Sequence, residues 1–165
     1  MTALSQRQAV MTLAALKGLG PIRIGRILDA FGGDATAALA APVEALRRVP
    51  DIGPTTAETV RNWRELFDPV REEDQLAELG AAYVLKGEQG YPARLAELPG
   101  APHGLYVRGS FPPGPVVAIV GTRRPTLYGR KQARVFASAL SRAGIVVASG
   151  LARGIGGEAH EGALE

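Results

Sequence analysis

Two short segments carry the residue types most suited to chemistry. Gly121-Thr122-Arg123-Arg124-Pro125-Thr126 and Ser149-Gly150-Leu151-Ala152-Arg153-Gly154 each combine glycine, a hydroxyl and arginine. Gly121 and Gly150 let main-chain amides come close to an anion, Thr122 and Ser149 offer hydroxyl donors, and Arg123 and Arg153 can grip phosphate oxygens in a bidentate fork. The chemistry implied is phosphate binding by Gly121, Thr122, Arg123, Arg124, Ser149, Gly150 and Arg153. Neither segment matches the dinucleotide GxGxxG or the Walker A GxxxxGK[ST], which disfavours an NAD enzyme and a P-loop ATPase. Arg124 precedes Pro125, so its backbone is extended or turned and its side chain could equally face solvent.

Other chemistries have little to draw on. With no cysteine, disulfides, thiolate metal sites and Cys nucleophiles are excluded together. Two histidines, His103 and His160, are too few for an all-protein zinc site, so no metal and no cofactor is expected. No Ser nucleophile with an acid partner stands around His160, which reads as a packing or hydrogen-bonding residue of the following helix; no catalytic residue is assigned. Tyr128 could stack on a base, but aromatics at 5% are too sparse for a stacking platform, and packing at a helix entrance is expected instead.

The two segments need elements that present them together. Val116 to Val120 is a continuous apolar run with β-branched residues, read as a strand buried on both faces, and Ile145-Val146-Val147-Ala148 reads as a second. A helix from about Gly129 to Ala143 lies between them, making a βαβ unit with an expected right-handed crossover. In an open parallel sheet ligands bind beyond the carboxyl ends of the strands, so both segments should face one crevice. Upstream, Ala82 to Leu85 and Leu105 to Val107 read as short strands flanking a brief helix at Tyr91 to Leu95.

The first part of the chain reads as helices. Ser5 with Gln8 forms a capping box, and Val10, Leu13, Ala14 and Leu16 fall near one side of the helix they open. Pro21 suits a second helix ending near Phe31-Gly32-Gly33, Asp34 caps a third, Pro42 opens a fourth reaching Val49, Pro54 opens a fifth running through Trp63 to about Phe67, and a sixth spans Val70 to Leu79. Within this region Leu19-Gly20-Pro21 and Ile52-Gly53-Pro54 repeat at a spacing of 33 residues. Each resembles a helix-hairpin-helix turn, in which amides at a helix N-terminus approach a phosphate. Gly18-Leu19-Gly20 fits that turn with Lys17 beside it. In the second copy Asp51 replaces the first glycine and would repel phosphate, which marks that copy as structural.

Charge placement supports a polyanionic partner. The chain of 165 residues has a net charge of +3, yet no Asp or Glu occurs from Leu98 to Gly157, where Arg108, Arg123, Arg124, Arg130, Lys131, Arg134, Arg142 and Arg153 lie. Arg130 and Lys131, with Lys17, Gly18 and Gly20, are the secondary candidates for DNA contact. No stretch approaches the about 20 consecutive apolar residues that cross a bilayer, and MTALSQRQAV has no secretory pattern, so a cytoplasmic protein without a membrane partner is expected.

The run VAIVGTRRPTLYGRKQA, followed by GIVVASGLARGIGGEAHEGAL, resembles the DprA/Smf family of DNA-processing proteins, and YPARLAELPGAPHGLYVRG is similar to that family's approach to its Rossmann-like domain. The resemblance implies a non-enzymatic protein that binds single-stranded DNA and loads RecA recombinase onto it in natural transformation. By position, Arg123 matches a family arginine on the DNA backbone, and Gly121, Thr122, Ser149 and Gly150 match the phosphate loops. The family's GID is here Gly154-Ile155-Gly156, so a carboxylate that could cap the second helix or order its loop is missing.

The expected architecture is α/β: an all-α, helix-hairpin-helix or SAM-like domain over 1–79, then a truncated Rossmann-like parallel-sheet domain over 80–165. Family members continue through further strands, where base contacts, the homodimer interface and the recombinase surface lie, so the chain is expected to be a fragment, poorly soluble or weakly binding alone. The alternative function is a nucleotide-processing enzyme of the Rossmann-like lysine-decarboxylase-type group, using the same loops for a mononucleotide.

Overall fold

The computed structural model describes residues 4–165 and divides into two compact units, one running to Phe111 and one spanning Pro112–Glu165. Among the described residues no helix is long and apolar enough to cross a membrane.

The first unit opens with α1 (Gln6–Ala15), and its capping box forms as expected: the Gln8 amide donates to Ser5 Oγ at 3.1 Å and the Ser5 amide to Gln8 Oε1 at 2.9 Å. Val10, Leu13 and Leu16 are buried, but Ala14 is exposed, and Ala9, Met11 and Thr12 are buried in its stead. The helix is covered on several sides, so its apolar residues are not confined to one stripe. Around it stand α2 (Pro21–Ala30), α3 (Ala35–Ala40), α4 (Val43–Leu46), α5 (Pro54–Arg61), α6 (Trp63–Leu66) and α7 (Pro69–Glu78). Asp34 and Asp68 cap α3 and α7, each accepting two amides of the first turn. The helix expected from Pro54 to Phe67 breaks at Asn62, whose backbone (φ −95°, ψ 20°) leaves the α region before Trp63 enters the core.

The sequence repeat maps onto two turns of like geometry. Leu19 and Ile52 are buried, Gly20 and Gly53 occupy the N-cap positions of α2 and α5, and Pro21 and Pro54 follow at the first helical position. They differ at the residue that must turn left: Gly18 has φ 87° while Asp51 has φ 61°, and Asp51 is ion-paired with Arg26 of α2. The carboxylate thus ties the second turn to the helix of the first. The unit ends with β1 (Ala81–Leu85), α8 (Ala93–Ala96) and β2 (Gly104–Arg108); the strands pair antiparallel with Tyr83 opposite Tyr106. Their rings meet edge to face, and burial pushes the Tyr83 phenol up to about 12.

The second unit is a βαβ unit carrying one further helix: β3 (Val116–Ala118), α9 (Leu127–Arg142), β4 (Val146–Ala148) and α10 (Ile155–Ala163). β3 and β4 pair in parallel, Val117 beside Val147. The expectation that β3 is buried on both faces is overturned: it is three residues long, and Val116 and Val117 are exposed by 47% and 38%. A parallel strand is buried only when strands flank it and helices cover both faces, and among the described residues β3 bonds to β4 alone. Packing is tightest between the helices. A Cβ on Gly162 of α10 would lie 2.4 Å from the Arg134 carbonyl oxygen of α9, so only glycine permits this approach.

Candidate nucleic-acid interface

The strand pairing continues past the ends of β3 and β4 and brings their following loops together. The Ile119 amide donates to the Ala148 carbonyl at 3.0 Å, and Ser149 Oγ donates to the Ile119 carbonyl at 2.7 Å. Farther out, the Ile155 amide at the start of α10 donates to the Thr122 carbonyl at 3.2 Å. Gly154 is the point of closest approach: with φ 98°, its position would set a Cβ 2.4 Å from the Thr122 oxygen and 2.8 Å from Arg123 Cα. A Cβ on Gly121 would in turn lie 2.7 Å from Ile155 Cγ1. Both glycines therefore serve loop against loop contact, and the two segments form one continuous surface.

The surface presents cations and main-chain donors. Gly121, Thr122, Arg123, Arg124, Gly150 and Arg153 are exposed. Among the described residues, Arg123, Arg124, Lys131 and Arg153 form no ion pair, and the amides of Thr122, Arg123, Gly150 and Arg153 donate to no protein acceptor. Thr122 Oγ1 accepts from the Arg124 amide at 3.1 Å, which curls the first loop before Pro125. Thr126 Oγ1 caps α9 by accepting from the Gly129 amide at 3.1 Å, leaving the positive end of a 16-residue helix beside the loop.

Two expected contributions change character. Ser149 does not point a donor outward: its hydroxyl proton goes to the Ile119 carbonyl, so its role is to brace the loops. Arg130 lies 3.1 Å from Glu158 Oε1, and Arg134 is paired with Glu158, Glu161 and Glu165. The Arg134 guanidinium beside it, followed by Arg130, holds the Glu158 carboxyl below its usual range. The acids that end the acid-free stretch thus engage two of its arginines, whereas Lys131 has no such partner.

With glycine at position 156, the start of α10 is held by main-chain bonds. Gly154 caps α10 with no side-chain bond, but the Ile155 amide reaches Thr122 and the Gly157 amide reaches the Ala152 carbonyl at 2.8 Å. His160 Nε2 lies 3.2 Å from the Ser149 carbonyl; as that oxygen can only accept, Nε2 carries the proton. This hydrogen-bonding role agrees with the reading from sequence. Tyr128 does not: it is 73% exposed and packs against nothing that would hide it. Lys17, Gly18 and Gly20 lie in the first unit, where all three are exposed and the Gly18 carbonyl accepts from Arg23 Nη1 at 2.7 Å. Among the described residues no group of three or more potential ligands could hold a metal ion.

The sequence pattern of the family described as DNA recombination-mediator protein A matches residues 82–165, half of the chain, and includes both loops. This chain belongs to the DprA/Smf family. Its similarity to Protein Smf of Synechocystis reaches 30% identity over 97% of the chain and 42% of the relative. To Protein Smf of Escherichia coli it is 38% identical over 46% of the chain and 21% of the relative, and to the DNA processing protein DprA of Bacillus subtilis 31% identical over 66% and 38%. The chain thus spans less than half the length of these DprA/Smf relatives. The X-ray structure of DprA from Streptococcus pneumoniae superposes with a TM-score of 0.67 at 22% identity, covering 99% of this chain and 55% of that one, which establishes the common fold.

Proposed function

We propose that this DprA/Smf chain binds single-stranded DNA through Gly121, Thr122, Arg123, Arg124, Gly150 and Arg153, with Ser149 bracing the loops. The observation that carries the reading is the meeting of two glycine-rich loops at the carboxyl edge of parallel strands, with arginines that no acid engages among the described residues. Phosphates would take the exposed amides and guanidinium forks, giving affinity that falls with salt and little dependence on base sequence. Lys131 extends the cationic surface, and Arg130 joins it only by leaving Glu158. Lys17, Gly18 and Gly20 are proposed as a secondary contact in the first unit.

A binding role fits better than catalysis. Glu158, the acid nearest the loops in sequence, is occupied by two arginines and is a poor candidate for a general acid or base of a nucleotide-processing enzyme. We further propose that the whole protein acts in the cytoplasm, associates as a homodimer and loads RecA recombinase onto the bound strand in natural transformation; the family's description as recombination mediators supports the role in recombination alone.

Titration of labelled oligo-dT at several salt concentrations tests the site. Arg123→Ala should weaken binding and flatten the log-log salt slope by about 0.7, the share of one neutralised phosphate on a single strand. An unchanged slope would remove Arg123 from the site. Tighter binding of AMP than of oligo-dT, with base release, would favour the enzyme.

A further inference from the structure

The proposed loops would engage a strand's backbone and do not themselves read its bases. An aromatic ring stands beside them. Tyr128 is the second residue of α9, follows the first loop directly and is 73% exposed, although a phenol ring ordinarily finds cover at a helix entrance. Its place in the unit is set by its neighbours: a Cβ added at the adjacent Gly129 would lie 3.5 Å from Pro125 Cβ of the first loop and 3.6 Å from Ile155 Cδ1 of α10, ordinary van der Waals contact. The Ile155 amide is itself bound to Thr122. The turn that bears Tyr128 is thereby held against both loops.

Charge around the ring favours a nucleic acid over an apolar protein partner. Lys131 lies one turn further along α9, Arg123 and Arg124 precede the helix, and among the described residues none of the three is paired with an acid. The Leu127 and Tyr128 amides, ahead of the capped Gly129, add the positive end of the helix dipole. Leu151, 72% exposed with φ 51°, adds a second apolar group on the other loop.

We infer that Tyr128 is a base-stacking residue: resting on the phosphate-binding reading above, it takes the face of an unpaired nucleobase while Arg123 and its neighbours hold the adjoining phosphates. Stacking of this kind tolerates any base, because each offers a π-face. It also distinguishes a single strand from a duplex, whose bases are already stacked on each other.

The test compares oligo-dT with an abasic oligonucleotide of the same length and phosphate count, titrated by fluorescence anisotropy. The wild-type chain should bind oligo-dT about five-fold or more tightly than the abasic strand, and Tyr128→Ala should erase that preference with abasic affinity unchanged. Tyr128→Phe, which keeps the ring and removes the hydroxyl, should retain it. Equal wild-type affinity for both strands overturns the stacking role and leaves the phosphate site standing. A preference that survives Tyr128→Ala, or a loss of affinity for both strands alike, also overturns it. Failure of the wild type to bind either strand overturns the phosphate site and the stacking role together.

Discussion

Gly154 shows how a single residue can decide whether the two loops meet. Its φ of 98° is a conformation that side chains resist, and an added Cβ would strike the Thr122 oxygen and the Arg123 backbone, neither of which can move without parting the loops. Gly154→Ala is expected to cost about 1–3 kcal/mol from backbone strain alone, seen as a lower urea midpoint for unfolding. The same variant should lose affinity for oligo-dT, because Arg123 would be displaced from Arg153. Wild-type stability and affinity together would show that the loops tolerate separation. Much of the proposed site was legible at this scale, since glycine, hydroxyl and arginine after each strand are the residue types that an anion site would use. The inward bond of Ser149 was not legible, because it depends on where the Ile119 carbonyl lies, and a serine hydroxyl serves a phosphate or a carbonyl equally well.

Among the elements, the contact of α9 with α10 links stability to the charge available for binding. Glu158 on α10 draws Arg130 and Arg134 of α9 toward it, and those bonds lower its carboxyl pKa in the folded chain. A depressed folded pKa contributes stability that is fully present above the unfolded value and lost as pH falls through the folded one. Acidification below the ordinary glutamate range should therefore destabilise the wild type, and Glu158→Gln should remove that part of the dependence in pH-dependent urea titrations. The same substitution should release Arg130, tightening oligo-dT binding and steepening the salt slope by about 0.7 while lowering stability at neutral pH. If binding and slope stay as they were, Arg130 lies away from the strand. Local signals revealed several helix starts well, since Ser5, Asp34 and the prolines at 21 and 54 act on their own first turns, whereas the Thr126 cap was not legible and α9 begins at Leu127, ahead of the expected Gly129. The partner of Arg130 lies 28 residues onward and is set by the approach that Gly162 allows, which no periodicity in the sequence encodes.

Over the whole molecule, a net charge of +3 understates how strongly one segment could bind a polyanion, because the acids and bases are unequally placed along the chain. The acid-free stretch from Leu98 to Gly157 was visible at once, as were the βαβ order and the helical first half. The usable fraction of its charge was not, since that depends on folding α10 and its glutamates back over α9. Neither was the exposure of β3, because an apolar run reports what a strand could bury and not how many neighbours cover it. Beside the proposed site, Arg123, Arg124, Lys131 and Arg153 lack ion pairs among the described residues, while Arg130 and Arg134 are engaged and Arg142 stands at the far end of α9. If each unengaged cation neutralises one phosphate of a single strand, the logarithm of the association constant should fall with the logarithm of salt at a slope of about −3. A slope near −4 or steeper would mean that the glutamates release Arg130 and Arg134 when DNA arrives, making the helix contact part of the binding step. A slope near −1 would leave most of these cations in solvent, and the two loops would then hold a single phosphate and not a strand.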